Sequence, residues 1–332
     1  MRCLGFAALI ALASFVSLTG APAPKFSYYL TGNAGNVAAT TEAGLGLMGG
    51  GTDVDALFTW MSARAGGGDF VVIRASGADG YNQYVYDLGY FDSVETLVLP
   101  TRASSSDAFV LQTIRNADAL FVAGGDQSDY VNNWKGTPVE AAIHELAARG
   151  VPIGGTSAGT AILGEFLYSA QRKSVTSAVA LADPFSRDIT LDRDFLVIPH
   201  MAGLITDQHL IERDRLGRTL TFMARLVIDG WTTDPRAIAI DRETAVLVSA
   251  SGRATVVANA SHATPFAYFL RGGTPQVVSA KTPLTYTGID VKRAAPGSTF
   301  DLTGWRGTGL TSYTLNVNAG TVLSTQPGGA IY

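Results

Sequence analysis

The stretch Val151-Pro152-Ile153-Gly154-Gly155-Thr156-Ser157-Ala158-Gly159-Thr160 decides the reading of this 332-residue chain. Its apolar start predicts a short buried strand at 151–155, and a helix is expected to open after Ser157, over 160–167. Apolar strands that feed helices through tight turns belong to a parallel sheet covered on both faces. Within the turn, Gly155-Thr156-Ser157-Ala158-Gly159 has the G-x-S-x-G spacing of a nucleophile elbow. The glycines allow a sharp turn and close backbone approach. The turn projects the serine hydroxyl, and the Ala158 amide at a helix start can stabilise an oxyanion. The same five residues also describe an ordinary glycine-rich loop, so their surroundings matter.

Outward from this turn the alternation continues. Strands are predicted at 45–48, 70–73, 94–99 and 119–123, and helices at 53–65 and 138–148. Pro138 suits a first helical turn and Gly150 a helix end. A further buried strand is expected at 195–199. A long amphipathic helix is expected at 208–227, with Leu216, Leu220, Met223 and Val227 on one face. From residue 237 the texture changes to short alternating runs at 237–240, 245–248, 254–258 and 267–270, which read as antiparallel strands. The expected organisation is an α/β domain carrying the Ser157 turn over 24–250 and a β-rich region over 251–332. That region is either a small appendage or an edge extension of the main sheet.

Residues 1–23 read as a secretory signal peptide. Arg2 supplies the positive start, residues 4–18 the uncharged apolar run, and Ala21-Pro22-Ala23 the small-residue cleavage pattern. A secreted or periplasmic protein is expected. At 16% charged and 47% hydrophobic, the chain is too apolar to be disordered. A net charge of -4 argues against a nucleic-acid binder. The single cysteine, Cys3, excludes a disulfide scaffold.

A nucleophilic serine needs a base. Four histidines are available. His144 falls mid-helix and His262 in the β-like tail, where it reads as a turn residue. His200 closes the predicted strand 195–199, and His209 opens the predicted long helix. Spacing favours neither of these two. Gly124-Gly125-Asp126-Gln127 directly follows a predicted strand, so its exposed backbone amides form a natural oxyanion seat. Arg213, Arg215 and Arg218 cluster on the predicted helix. They read either as a solvated face paired with Glu212 and Asp214 or as a carboxylate-binding group.

Taken together these motifs resemble cyanophycinase and its relatives in peptidase family S51. The resemblance rests on Gly124-Gly125-Asp126-Gln127, Gly155-Thr156-Ser157-Ala158-Gly159, Asp207-Gln208-His209 with the trailing Arg213-x-Arg215-x-x-Arg218, and Ile240-Asp241-x-x-Thr244-Ala245, and the tail 328–332 resembles the group's exported branch. It implies a flavodoxin-like α/β core related to class I glutamine amidotransferases, a homodimer, and a serine peptidase with no metal and no cofactor. It implies Ser157 as nucleophile and His209 as base. Ala158 and an amide near Gly125 and Asp126 would form the oxyanion hole. Gln127, Asp207, Gln208 and the three arginines would contact substrate or support the site. The implied substrate is a peptide with β-aspartyl bonds, cyanophycin in the type case. One position departs from the group's pattern: Arg242 stands where an acid is expected. Glu243 could take the role through a one-residue shift, Asp241 could take it, or the acid could be missing. A one-residue shift on a strand turns the side chain to the other face, so Glu243 would need a bulge or turn.

Overall fold

Five short apolar runs form the parallel centre of the structure, a computed structural model that describes residues 25–332. The expected signal segment 1–23 lies outside the described residues. After an edge strand β1 (Ser27–Gly32) come β2 (Gly44–Met48), β3 (Asp69–Arg74), β4 (Ser93–Val98), β5 (Ala119–Val122) and β6 (Ile153–Thr156). Their parallel order is β4–β3–β5–β6–β2, with β1 antiparallel on the β4 edge. From β3 onward this follows the 2-1-3-4 order of flavodoxin-like sheets, which gather their sites at the carboxyl ends of the strands.

Successive residues of each strand point to opposite faces, and both faces are covered. On one side Phe70, Val72 and Phe121 pack under Leu57, Phe58 and Met61 of α1 (Asp55–Ala65), next to α2 (Asn82–Asp87). On the other, Val71, Ile73, Leu120 and Val122 meet Val110 and Ile114 of α3 (Ala108–Asn116). The same face receives Tyr130 and Trp134 of α4 (Gln127–Trp134) and Ile143 and Leu146 of α5 (Pro138–Arg149). Gly150 ends α5 in the left-handed region, at φ 79°.

After the turn at Ser157 comes a single helical turn, α6 (Ala158–Ala161), where a helix over 160–167 was expected. The chain then re-enters the sheet as β7 (Phe166–Tyr168), parallel to β9 (Leu204–Gln208) and antiparallel to β8 (Leu191–Arg193). The turn back into the sheet takes a glycine at 164, because a Cβ there would come within 2.8 Å of the Phe166 and Leu204 carbonyl oxygens. Between β7 and β8 lies α7 (Ser177–Ala182). The expected strand at 195–199 is not formed. Phe195, Leu196 and Ile198 are buried, but Val197 is 74% exposed, and its amide donates to the His144 ring instead of to a ladder. Apolar content placed this segment in the core without making it a strand.

The expected long helix is also revised. Residues 204–208 are β9, parallel to β10 (Arg236–Ile240), and the helix α8 runs only over Leu216–Ile228. The intervening residues 209–215 are a loop that starts from a left-handed His209, at φ 52°. Leu216, Leu220 and Met223 do face the core, as the periodicity predicts.

The β-rich remainder comprises β11 (Thr244–Ser249), β12 (Arg253–Ala258), β13 (Ala267–Arg271), β14 (Val277–Ser279), β15 (Thr282–Asp301), β16 (Arg306–Asn318) and β17 (Thr321–Ser324). It extends the ladders of the α/β part. β11 pairs with β2, β12 with β11, and β13 with β10. The long β15 spans both halves, pairing with β13 at residues 290–294 and with β12 at 299–301.

Candidate active site

The carboxyl ends of β2, β5, β6 and β9 converge on Ser157. Its backbone sits at φ 50°, ψ −117°, a strained conformation for a residue with a side chain. The two flanking glycines hold that turn. A Cβ on Gly155 would lie 2.7 Å from the Gly159 carbonyl carbon, and one on Gly159 would lie 2.0 Å from the Val122 carbonyl oxygen. The G-x-S-x-G spacing is therefore a packing requirement here: the elbow is pressed against itself and against β5.

Ser157 Oγ lies 2.9 Å from His209 Nε2, and His209 Nδ1 lies 2.6 Å from Glu212 Oε2. An ionised carboxylate only accepts, so Glu212 fixes the proton on Nδ1 and leaves Nε2 free to accept from the serine. His200 takes no part in this constellation; its Nε2 lies 3.0 Å from the Ala250 carbonyl oxygen.

Glu243 is not beside His209. It lies in a left-handed turn at φ 54°, its amide donates to Gly50, and its carboxylate faces Arg242 at 3.6 Å. Asp241 does not reach the imidazole either. Its buried carboxylate accepts the amides of Ile211 and Glu212 at 3.0 and 3.2 Å, the Thr264 hydroxyl at 3.2 Å, and lies 3.1 Å from His262 Nε2. The strand-end stretch 240–245 therefore holds the loop that carries Glu212, and the carboxylate beside the imidazole comes from three residues past His209. Arg242 lies on the same acid, 3.9 Å from Glu212 Oε1.

A strap the sequence reading passed over as a strand end does much of the positioning. Met48 O accepts the Ser157 amide at 3.1 Å, and Gly49 O accepts the His209 amide at 3.0 Å. Gly50, at φ +101°, lies under the imidazole, where a Cβ would come within 2.3 Å of Nε2. Gly49-Gly50-Gly51 after an apolar strand was the available signal: Gly50 and Gly51 take positive φ, Gly50 lies against the ring, and a Cβ on Gly49 would fall 1.9 Å from the Asp241 carbonyl oxygen.

Electrostatics sharpen the pair. Burial holds His209 below the ordinary histidine range, with Arg213 and Arg215 adding to the effect and Glu212 opposing it. Burial pushes Glu212 up, but the His209 hydrogen bond and the Arg213 and Arg242 charges outweigh it, so the carboxyl stays below its ordinary value.

Beside Ser157 opens a cavity of about 210 Å³. Gly125, Asp126 and Ala158 line its floor, and Gln127 and Gln208 supply carboxamides. Arg213 and Arg215 face it, joined by Arg172, which the sequence reading did not single out. Arg215 is anchored by a 2.8 Å bond to the Gln208 carbonyl, and burial pushes it down to about 10. Asp126 caps α4 by accepting the Ser128 amide at 2.9 Å.

Two expected substrate contacts lie elsewhere. Asp207 and Arg218 are 2% and 1% exposed and pair with each other beneath the cavity, with Thr219 as a further donor to Asp207. Burial pushes Asp207 up, but Arg218 outweighs it and keeps the carboxyl ionised. This pair supports the site from below and faces no ligand space.

Residues 75–225 match the family model of peptidase family S51. Among curated relatives, a cyanophycinase of Synechococcus elongatus is 26% identical over 214 residues, 62% of this chain and 61% of that protein. A cyanophycinase of Trichormus variabilis is 25% identical over 212 residues, 64% of this chain and 66% of that protein. The chain thus spans just under two thirds of the length of the relatives it matches. The crystal structure of a peptidase from an acI-B1 Actinobacterium shares the fold, with a TM-score of 0.50 at 15% identity, covering 86% of this chain and 98% of that one. The matched segment 75–225 contains Ser157, His209 and Glu212, and over it the chain is similar to peptidase family S51.

Proposed function

We propose that this peptidase is a serine hydrolase of β-aspartyl linkages, of the cyanophycinase kind, with Ser157, His209 and Glu212 as its triad. The observation that carries the reading is the unbroken chain Ser157 Oγ–His209 Nε2, His209 Nδ1–Glu212 Oε2, at 2.9 and 2.6 Å, on the wall of an arginine-lined cavity. Ser157 attacks the scissile carbonyl while His209 takes its proton and later returns it to the leaving amine. Glu212 steadies the imidazolium. The Ala158 and Gly125 amides receive the developing oxyanion. Gly125 has no room for a side chain, since a Cβ would fall 2.6 Å from Tyr130 Oη. A β-aspartyl substrate carries a free α-carboxylate beside the scissile bond, and such a charge needs a partner once water is excluded. Arg213 and Arg215 supply it.

The charge of the cavity also favours a second reading, on substrate length. Three guanidiniums face one carboxylate, Asp126, which is already engaged as a cap. That balance suits a short aspartyl peptide whose leaving residue brings its own carboxylate, and disfavours a cationic leaving group. Purified protein treated with a fluorophosphonate, then offered cyanophycin, β-Asp-X and α-Asp-X dipeptides, tests both. Labelling lost in Ser157→Ala and turnover of β-aspartyl substrates support the proposal. Absence of labelling in the unmodified protein removes it, and the preferred peptide decides between the two substrates.

A further inference from the structure

None of the residues lining the cavity beside Ser157 comes from the region beyond β11. Yet one residue of that region reaches the loop that carries the site. Tyr332 Oη donates to Asp214 Oδ1 at 2.7 Å and accepts the Leu216 amide at 3.4 Å. Asp214 sits between Arg213 and Arg215, in a left-handed conformation at φ 46°. Tyr332 is itself fixed. Its carbonyl accepts from Arg293 at 2.7 Å and from Gln326 at 3.2 Å, and Tyr313 donates to the Ile331 carbonyl at 3.0 Å. Its ring meets the buried Tyr268 edge-on, at 6.4 Å.

The loop 209–215 thus has two clamps. Asp241 grips its first half through the Ile211 and Glu212 amides and so governs the acid. Tyr332 grips its second half through Asp214 and Leu216. The geometry points to Tyr332 as a positioning residue for the arginines of the cavity, the means by which the β-rich region serves substrate binding. This rests on the functional reading above for what the arginines bind. The clamp itself does not depend on that reading.

Tyr332→Phe keeps the ring and removes both contacts. A hydrogen bond to a charged but partly exposed group commonly contributes enough for a change of about three- to tenfold. KM for a β-aspartyl dipeptide should rise by that factor, with kcat and the fluorophosphonate labelling rate within about twofold. Asp214→Ala should give the same rise, and the double variant no more than either alone. Amide exchange should quicken at residues 213–216, with the melting temperature unchanged. Tyr286→Phe is the control. It removes a hydroxyl buried in the same core that has no hydrogen-bond partner among the described residues, so all these readouts should stay put. A Tyr332→Phe protein with unchanged KM, or with kcat, KM and melting temperature moving together, overturns the inference. If the unmodified protein turns over no aspartyl substrate, the functional reading falls and exchange decides alone. Faster exchange confined to 213–216 supports the clamp, and retained protection at Leu216 overturns it.

Discussion

At the scale of single residues, Glu212, the proposed acid, shows how a local pattern can hide a role. Glu212 follows His209 by three, a spacing that on a continuous helix puts both on one face among solvated charges. The structure breaks that helix at a left-handed His209, and the loop returns Glu212 to the ring at 2.6 Å. Ser157 and His209 were legible because each sits in a fixed motif. Glu212 was not, because its placement depends on the turn and on Asp241 reaching in from another strand. Glu212→Gln should therefore lower kcat by about 10²–10⁴, while Glu243→Gln should change it little. The pH profile adds a signed check. His209 accepts a proton only when neutral, so activity is lost as pH falls through its pKa. Burial already holds that pKa below the ordinary value of about 6.5, and Glu212 is the group that raises it. Removing the carboxylate should move the acid limb of kcat/KM to lower pH as the plateau drops. A limb that shifts upward, or an active Glu212→Gln protein beside an inactive Glu243→Gln one, would return the acid to the strand end.

Among elements, the parallel strands were readable because strands buried on both faces leave continuous apolar runs. Besides 160–167, where the chain re-enters the sheet after one helical turn, the misread segments 195–199 and 208–215 are those where tertiary contacts override the pattern: a histidine side chain capturing a backbone amide, and a left-handed turn ending β9. The arginines of the predicted helix likewise separate. Arg215 precedes α8 and faces the cavity, whereas Arg218 lies inside α8 and is buried against Asp207. Removing one partner of a buried ion pair leaves an uncompensated charge, at about 3–5 kcal/mol. Arg218→Ala should lower unfolding free energy by about that much in denaturant titration. Arg215→Ala should cost much less stability and raise KM for the proposed β-aspartyl substrates at least tenfold, a loss of about 1.4 kcal/mol. Equal stability losses would mean that both arginines hold the fold. The strap after β2 gives a second test at this scale. Gly50→Ala places a methyl 2.3 Å from the His209 ring at a backbone φ of +101°. It should remove most turnover while circular dichroism stays that of the parent, and a fully active Gly50→Ala enzyme would show that the ring is not held there.

For the whole molecule, the texture changes near residue 237, and hydrogen-bonded ladders run across the division expected at 250/251. β11 and β12 extend the ladder that starts at β2, and β15 joins the two halves by pairing with β13 and then β12. Alternating patterns identify strands but not their partners, so the sequence leaves an edge extension as one of two alternatives. The consequence of the continuous ladder is thermodynamic. Phe300, at the β12 end of β15, stacks on Phe269 of β13 at 3.9 Å and meets Trp305 edge-on at 5.1 Å. The ring is 1% exposed and belongs to the core cluster that includes Leu47, Val71 and Val122 of the parallel sheet. A module with its own core would melt by itself, but these strands share one core with the α/β part. Phe300→Ala should cost about 3–5 kcal/mol, through lost burial and the cavity left behind. Because the core is shared, the loss should appear as a downward shift of one calorimetric transition, with loss of the proposed β-aspartyl hydrolysis following the same curve. A new low-temperature transition that leaves hydrolysis intact would show instead that the β-rich region folds as a unit of its own and that the shared ladder does not couple the two.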